Sequence, residues 1–282
     1  MIDLSKLATA LAEVEPGLWT STGDPQVSYP VDAHKALAEI EDTSFWFKHR
    51  AAVLATVLSR FPPTGRVFDV GGGNGYMVRE LRARGVEAIL VEPGEDGARA
   101  ALARGLGPVV NATLTTAGFR SETLEAVALF DVLEHIEDDV GFLEHIAELL
   151  QPYGRIYLTV PAHMWLWSGE DVRSGHFRRY TAASLRKVCG LAQFDVEFDS
   201  YFFSMLPLPI LTIRTIPSML RLRKAGGVRA DEHQRPSGQI GEFIDRALVR
   251  ELKTLDRRRI RFGSSLIVVA RRKGQSEALD SA

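Results

Sequence analysis

The sequence has very little cysteine, since Cys189 is the single one among 282 residues. One cysteine excludes an internal disulfide and a zinc site built from several thiolates, as is usual in a reducing cytoplasm. Cys189 follows Leu185 and Val188 in a helical pattern, so we expect a buried structural thiol. The first residues mix acidic, basic and apolar side chains and do not resemble a secretion signal. The sequence therefore predicts a cytoplasmic protein.

The chain also lacks an excess of charge of either sign. Its net charge is −2 and its pI is about 6.4, and no long basic stripe is visible. We therefore expect no nucleic-acid partner. An apolar content of 45% and a charged content of 25% are those of an ordinary globular protein. The length allows one large α/β domain with additions.

No apolar run is long and clean enough to span a membrane. Residues 203–222 are strongly apolar, but three prolines and Arg214 interrupt them. They therefore cannot cross a bilayer as one helix. A lid, a dimer face and a peripheral membrane contact through residues 203–224 are the open alternatives. Basic residues at the end of the segment are compatible with the membrane contact: Arg221, Arg223 and Lys224.

A glycine-rich turn lies between the apolar strand Arg66–Val70 and an amphipathic helix. Its spacing does not match the dinucleotide fingerprint G-x-G-x-x-G, because neither register has Gly or Ala at the last position. The spacing that fits is D-x-G-x-G-x-G, carried by Asp69, Gly71, Gly73 and Gly75. An acidic residue at a strand end suits a ligand with an ammonium group.

The next two strands also end in polar residues. The second strand, Glu87–Val91, ends at Glu92, about 20 residues after the glycines. A carboxylate in this position can accept hydrogen bonds from both hydroxyls of a nucleoside ribose. The third strand, Val109–Leu114, offers Asn111 but no acidic residue.

The fourth strand, residues 126–130, delivers Asp131, Glu134 and His135 at its carboxyl end. Ligands of open α/β sheets bind outside the carboxyl ends of the strands, so these side chains are candidates for a site. The spacing i, i+3, i+4 could also present two carboxylates and an imidazole to a divalent metal. Glu137, Asp138 and Asp139, which follow, are typical of the start of a helix.

The stretch after the fifth strand, Arg155–Val160, concentrates aromatic, histidine and arginine side chains. It follows a carboxyl strand end, so we predict a loop over the site, ending at an N-cap, Thr181. Arg178 and Arg179 could bind a carboxylate or phosphate, or could hold the loop to the domain's own acids. Trp167 could contact an apolar ligand. The candidate general bases are His135, His163, His176 and, more weakly, Tyr180.

The D-x-G-x-G-x-G turn resembles that of class I S-adenosylmethionine-dependent methyltransferases. The Phe45-Trp46-Phe47 cluster and the G-H-x-R-R-Y segment that ends at Tyr180 resemble a bacterial small-molecule subgroup. The resemblance implies a Rossmann-like α/β fold with a seven-stranded, mostly parallel sheet and a reversed last strand. It also implies a set of cofactor contacts: Asp69, Gly71, Gly72, Gly73, Gly75, Glu92, Asn111, Asp131, Val132 and Trp46.

The resemblance implies methyl transfer to an oxygen, or a nitrogen, of a small acceptor that is anionic and partly hydrophobic. Two alternatives use the same cofactor site: a cyclase or lyase acting on S-adenosylmethionine, and a binding protein without turnover. The Asp131, Glu134, His135 pattern resembles that of ubiquinone-pathway O-methyltransferases, where it is associated with a metal. A bound divalent metal is therefore an alternative rather than a requirement.

Three regions follow from these patterns. Residues 1–43 are predicted to be a helical cover, with helices over Leu4–Val14 and Val31–Ile40. Residues 44–272 form the methyltransferase domain, with a lid or insertion over 203–240 and a mobile loop at 225–238. Residues 273–282 are predicted to be a disordered tail. Inside the domain, Gln151–Gly154 is predicted to be a turn.

Overall fold

The computed structural model describes residues 2–21, 41–220 and 237–274. Within these ranges nine strands form one sheet in the order β1-β2-β5-β4-β3-β6-β7-β9-β8. The strands are β1 Leu11–Glu15, β2 Leu18–Ser21, β3 Val67–Val70, β4 Ala88–Val91, β5 Val109–Asn111, β6 Leu124–Phe130, β7 Leu150–Pro161, β8 Phe194–Phe202 and β9 Ser265–Arg272.

The middle of the sheet is parallel, and the last strand of the chain is reversed. β4 and β6 both pair with β3 in parallel, whereas β9 is antiparallel to β7 and β8. Every residue of β3 and β4 is buried, because helices cover both faces of the sheet. The predicted fold class and the reversed last strand are confirmed. Two strands, β1 and β2, make the sheet larger than the predicted seven.

The helices alternate with the strands, and several begin at a side-chain cap, of which Asp138 and Thr181 were predicted. Ser44 caps α1, Asp138 caps α5 and Thr181 caps α7 through side-chain acceptors. The helices are α1 Phe45–Arg60, α2 Tyr76–Arg82, α3 Glu95–Ala103, α4 Leu114–Ala117, α5 Asp139–Leu149, α6 Gly169–Arg173, α7 Ala182–Leu191, α8 Pro207–Ile210, α9 Ile216–Met219 and α10 Gly238–Leu255. A π-helical stretch, Leu211–Thr215, joins α8 to α9.

The predicted amino-terminal helix over Leu4–Val14 is wrong. A single 3₁₀ turn, Leu4–Lys6, is followed by the β1–β2 hairpin, and β2 adds to the sheet beside β5. The hairpin turn contains Gly17 at φ +84°, a conformation that favours glycine. The Glu13 carboxylate accepts the Gly17 N–H. The second predicted helix, Val31–Ile40, lies outside the described residues.

Two further predictions differ from the structure. Gln151–Gly154 is not a separate turn: it belongs to an irregular first part of β7, where the pairing register with β6 shifts. The stretch predicted as a loop after β7 contains a short helix, α6. Among the described residues no helix is long and apolar enough to cross a membrane. The predicted mobile loop at 225–238 falls almost wholly outside those residues, as does the predicted tail beyond Gly274.

Candidate active site at the carboxyl edge of the sheet

The carboxyl ends of β3, β4, β6 and β7 lie at one edge of the sheet because these strands are parallel. Asp69, in β3, is fully buried, and both of its carboxylate oxygens lack a hydrogen-bond partner among the described residues. Burial raises the pKa of Asp69 to about 7; Arg50 opposes the rise and Glu92 adds to it. A buried carboxylate without donors can receive a cationic ligand group.

The glycine-rich turn after β3 folds tightly against Asp69. Gly71, Gly73 and Gly75 have φ values of +72°, +57° and +75°, which disfavour any other residue. A Cβ atom on Gly72 would lie 2.5 Å from Asp69 Oδ2 and 2.6 Å from Leu90 Cδ1. The spacing of the motif therefore follows from the backbone shape and from the close packing of this turn.

Glu92 holds the glycine turn at the end of β4. Its Oε2 accepts the Gly73 N–H at 2.8 Å, and its Oε1 accepts the Gly94 N–H at 2.7 Å. The two carboxylate oxygens thus tie the glycine turn to the start of the helix Glu95–Ala103. Asn111 lies beside it, because its Nδ2 donates to the carbonyl oxygens of Glu92 and Pro93.

Asp131 begins the segment after β6 with φ +58° and faces α1. Its Oδ2 lies 3.0 Å from Arg50 Nη2, and its Oδ1 accepts the Thr159 hydroxyl at 2.9 Å. Arg50 is buried, also donates to Thr159, and lies 5.0 Å from the Trp46 ring centre. Sequence reasoning missed Arg50, because nothing in the α1 pattern shows that it turns towards the sheet edge. Val132 packs beside the turn, with Cγ2 2.9 Å from the Cβ position of Gly71.

Glu134, His135 and His176 form a compact polar cluster whose potential metal-ligating atoms lie within 4.8 Å of one another. The two imidazole rings meet edge to face with centroids 4.6 Å apart. Burial lowers the pKa of His135 to about 4, and the nearby His176 contributes. Burial and the Asp131 charge raise the pKa of Glu134, whose Oε2 lacks a hydrogen-bond partner among the described residues. His176 thus takes the place predicted for Asp131 in the candidate metal set.

Asp171 organises the segment after β7. Its side chain is 1% exposed, contacts His176 Nδ1 at 3.0 Å and pairs with Arg179 through both of its oxygens. Burial opposes ionisation of Asp171, but the hydrogen bonds from His176 and Arg179 lower its pKa to about 2. α6 and the G-H-x-R-R-Y segment are therefore joined by one buried carboxylate, which also places His176 beside His135.

The remaining predicted residues of this segment have partners inside the protein. Arg178 lies 2.8 Å from Asp139, and the Tyr180 hydroxyl donates to the same carboxylate at 2.8 Å. Tyr180 is buried, and burial followed by the Asp139 hydrogen bond raises its pKa. In this structure the buried Tyr180 hydroxyl holds its segment to the start of α5 through Asp139. The predicted anion-binding role of Arg178 and Arg179 is not tested by these contacts and stays a prediction.

His163 lies in an aromatic stack rather than in the histidine cluster. It has φ +64°, and its ring is parallel to that of Tyr201 at 5.0 Å and close to that of Trp165 at 5.5 Å. Its Nε2 is buried without a hydrogen-bond partner among the described residues, and burial lowers its pKa. Trp165 is exposed at the end of the stack, while Trp167 is half-buried. The stack provides a flat apolar surface at the same edge of the sheet.

A parallel sheet of this order with a reversed last strand defines an α/β protein of the Rossmann-like class. The chain belongs to the methyltransferase domain family, whose model matches residues 46–197. It is a class I S-adenosylmethionine-dependent methyltransferase, as the motifs predicted. A Mycolicibacterium smegmatis protein named Probable S-adenosylmethionine-dependent methyltransferase is 24% identical over 188 residues, covering 62% of this chain and 70% of that protein.

A second relative is the ubiquinone biosynthesis O-methyltransferase of Parvibaculum lavamentivorans. It is 25% identical over 126 residues, which are 41% of this chain and 50% of that protein. This chain therefore matches only half the length of that relative.

Solved structures share the fold at low sequence identity. The methyltransferase bound to the Trm112 activator of Haloferax volcanii has a TM-score of 0.55 at 16% identity, covering 87% of this chain and 95% of that chain. A Thermotoga maritima S-adenosylmethionine-dependent methyltransferase has a TM-score of 0.53 at 17% identity, covering 85% of this chain and 97% of that chain. Haemonchus contortus phosphoethanolamine N-methyltransferase 2 has a TM-score of 0.54 at 16% identity. The match covers 88% of this chain and 59% of that chain.

Proposed function

We propose that this methyltransferase acts on an oxygen, or a nitrogen, of a small acceptor that is anionic and partly hydrophobic. The observation that carries the proposal is the His135–His176 pair beside Glu134 at the carboxyl end of β6. Burial lowers the pKa of His135 to about 4, so its imidazole is neutral near pH 7 and can accept a hydrogen bond from the nucleophile, although a pKa this low makes it a weak base. An oxygen or nitrogen nucleophile gains from such a base.

The cofactor site fits S-adenosylmethionine on two observations. The Asp69 carboxylate is buried without donors among the described residues, as suits an ammonium group, and the Glu92 carboxylate lies at the end of β4 bonded to the glycine turn, the position that suits a ribose. When bound, the cofactor supplies a methyl group activated by positive sulfur. Glu92 and the glycine turn would hold the nucleoside, and Asp69 would face the ammonium. Arg50 would pair with the carboxylate group of the cofactor, because its buried Nε lacks a hydrogen-bond partner among the described residues.

The acceptor is inferred from the surfaces around the histidine pair. The stack of His163 and Trp165 offers a flat apolar contact, and Trp167 adds a half-buried indole nearby in sequence. The anionic character rests on Arg178, whose side chain is 31% exposed while it pairs with Asp139. The relative named as a ubiquinone biosynthesis O-methyltransferase supports oxygen as the methylated atom.

The test is a turnover assay with S-adenosylmethionine and a panel of phenols, carboxylates and amines, each followed by S-adenosylhomocysteine release. We expect His135→Asn to lower kcat about 100-fold without weakening cofactor binding. His145→Asn, a change at a partly exposed histidine of α5, should leave kcat unchanged. Full activity of His135→Asn would remove His135 as the base. Release of methylthioadenosine in place of S-adenosylhomocysteine would show a cyclase or lyase instead.

The same assay decides whether the Glu134, His135 and His176 cluster holds a metal. Two imidazoles and a carboxylate are ligands that several divalent metals accept. A base mechanism predicts equal rates in chelator and in added Mg²⁺ or Zn²⁺. Loss of activity in chelator, restored by one metal, would assign the cluster to that metal.

A further inference from the structure

The segment from Pro207 to Leu220 is helical and amphipathic, but its polar residues face the domain and its apolar residues face outward. It comprises α8, the π-helical stretch and α9, and it has one inward and one outward side. Three polar residues fasten the segment to the domain, and Pro207 is also buried. The Thr215 hydroxyl donates to the Leu166 carbonyl at 3.0 Å, Ser218 accepts the Gly169 N–H at 2.8 Å, and Arg214 pairs with Glu170 at 3.0 Å.

The outward side is almost wholly apolar. Leu208, Ile213, Ile216, Met219 and Leu220 are 70%, 60%, 42%, 76% and 62% exposed, and Thr212 lies among them. We call these six residues the outer stripe. A helix of a water-soluble domain normally buries its apolar side, so an exposed stripe of this kind marks a surface that contacts something else.

The outer stripe lies on the active-site side of the molecule. β8 is parallel to β7, since both are antiparallel to β9, so their carboxyl ends share one edge. The segment begins five residues after the end of β8. It contacts Leu166, Gly169 and Glu170, which all follow the end of β7. Whatever covers the stripe is therefore near the edge that carries Asp69, Glu92 and Asp131.

The charge of this part of the chain favours an anionic partner. Residues 203–230 contain five basic residues and no acidic one, and Asp231 and Glu232 follow them. Arg214 is neutralised by Glu170, and the other four follow the stripe in sequence: Arg221, Arg223, Lys224 and Arg229. An apolar stripe followed by cations is typical of a helix that lies in the interface of an anionic bilayer.

The size of the stripe argues against a second copy of this chain as its partner. Its five apolar side chains bury roughly 60–120 Å² each, on the usual transfer scale. Their sum stays below the roughly 800 Å² per partner of a stable protein interface, so a second copy would have to contact further surface. A lipid surface needs no shape complementarity and can accept a stripe of this size.

We propose that the outer stripe docks this enzyme on the surface of an anionic lipid bilayer, with the active-site edge towards the membrane. The contact is peripheral, because the segment is short and its inward side is held by polar contacts to the domain. The proposal is independent of the proposed acceptor and of His135, since it concerns only where the enzyme works.

The test is flotation of the full chain with two kinds of vesicle: pure phosphatidylcholine, and phosphatidylcholine with roughly a third phosphatidylglycerol. We expect binding to the anionic vesicles that weakens as salt is added. The double variant Leu208→Ser/Met219→Ser should weaken partition about tenfold or more. Its matched control is Val14→Ser/Leu191→Ser, two residues 58% and 53% exposed elsewhere, on β1 and at the end of α7. The control should bind like the wild type.

Both double variants change exposed side chains, so we expect both to fold. Their melting temperatures and their affinities for S-adenosylhomocysteine, compared with the wild type, test this. Wild-type protein that floats with neither vesicle overturns the proposal, as does a stripe variant that binds as well as the wild type. A wild-type dimer in sedimentation that is lost in the stripe variant, without vesicle binding, would assign the stripe to a second copy instead.

Discussion

We expect the ionisation of Asp69 to control cofactor affinity. Its pKa is raised to about 7 by burial in the absence of ligand, whereas an ammonium ligand needs the ionised form. Affinity for S-adenosylhomocysteine should therefore fall as pH drops from 7.5 to 5.5, by roughly tenfold or more. Calorimetry at several pH values measures this dependence.

Asp69→Asn is the matched variant for that measurement, because it keeps the shape and cannot ionise. We expect weaker binding that is nearly independent of pH over the same interval. A wild-type affinity that does not change between pH 5.5 and 7.5 would show that Asp69 is ionised without ligand. Loss of binding in Glu92→Ala is a separate expectation, since Glu92 also fixes Gly73 and Gly94.

Asp171 contributes to stability through its charge. Its folded pKa of about 2 lies below the ordinary value of 3.8, so its contribution is present above pH 4 and is lost as pH falls towards 2. The shift corresponds to about 2 kcal/mol. Asp171→Asn should lower the free energy of unfolding by about that amount at pH 7, and by much less near pH 2, measured by denaturant titration.

The control for Asp171→Asn is Asp195→Asn, at an exposed aspartate 3.9 Å from Lys273. Surface pairs of this kind contribute about 1 kcal/mol or less. Equal destabilisation by the two variants would contradict a special role for Asp171. The Asp171 variant should also reduce turnover, because His176 loses its partner.

At the scale of elements, α10 holds α1 and the end of β8 in place through Glu251. Its carboxylate lies 2.7 Å from His49 Nε2 on α1 and accepts the N–H groups of Phe203 and Ser204 after β8. Phe203 stacks on Trp46 with ring centroids 5.7 Å apart. The helix that carries Trp46 and Arg50 over the strand ends is thus positioned by a buried acid on another helix.

Glu251→Gln should lower the free energy of unfolding by about 1–3 kcal/mol, because a buried, charged hydrogen-bond group is lost. It should also weaken cofactor binding, because α1 carries Arg50. The matched control is Glu242→Gln on the same helix, which removes an exposed pair with Arg246 worth about 0.5 kcal/mol or less. Thermal unfolding and calorimetry report the two effects. An unchanged affinity would show that α1 keeps its place without Glu251.

At the scale of the whole molecule, the sheet continues through the amino-terminal hairpin. β2 pairs with β5 from Leu18 opposite Val109 to Thr20 opposite Asn111, so the first 21 residues extend the sheet that holds the site. Leu18 is buried in the same core as Val109, Leu54 and Leu90. The hairpin also covers the β5 edge, which would otherwise expose unpaired backbone groups.

Leu18→Ala should therefore lower the stability of the whole domain by about 2–5 kcal/mol in one cooperative transition. Val14→Ala, at an exposed position of the hairpin, should change it by about 0.5 kcal/mol or less. Denaturant unfolding followed by circular dichroism measures both. A separate early transition of the hairpin, with the main transition unshifted, would show that it is an independent cover.

The sequence alone determined the fold class and the strand-end motifs of this protein. Asp69, the glycines and Glu92 are local in sequence, and their spacing follows from strand ends and positive φ angles, so short-range rules suffice. The reversed β9 was predicted through the family resemblance. The caps of α5 and α7 were predictable for the same local reason.

The tertiary structure alone decided the contacts between distant segments. The β1–β2 hairpin pairs with β5 about 90 residues away, whereas its sequence carries a pattern that also fits a helix. Arg50 meets Asp131, Asp171 brings His176 to His135, and Glu251 reaches His49, each across a long sequence separation. Such pairings depend on how helices pack on the sheet, which residue spacing does not encode. The polar inward side of the 207–220 segment likewise became visible only in its contacts with Leu166, Gly169 and Glu170.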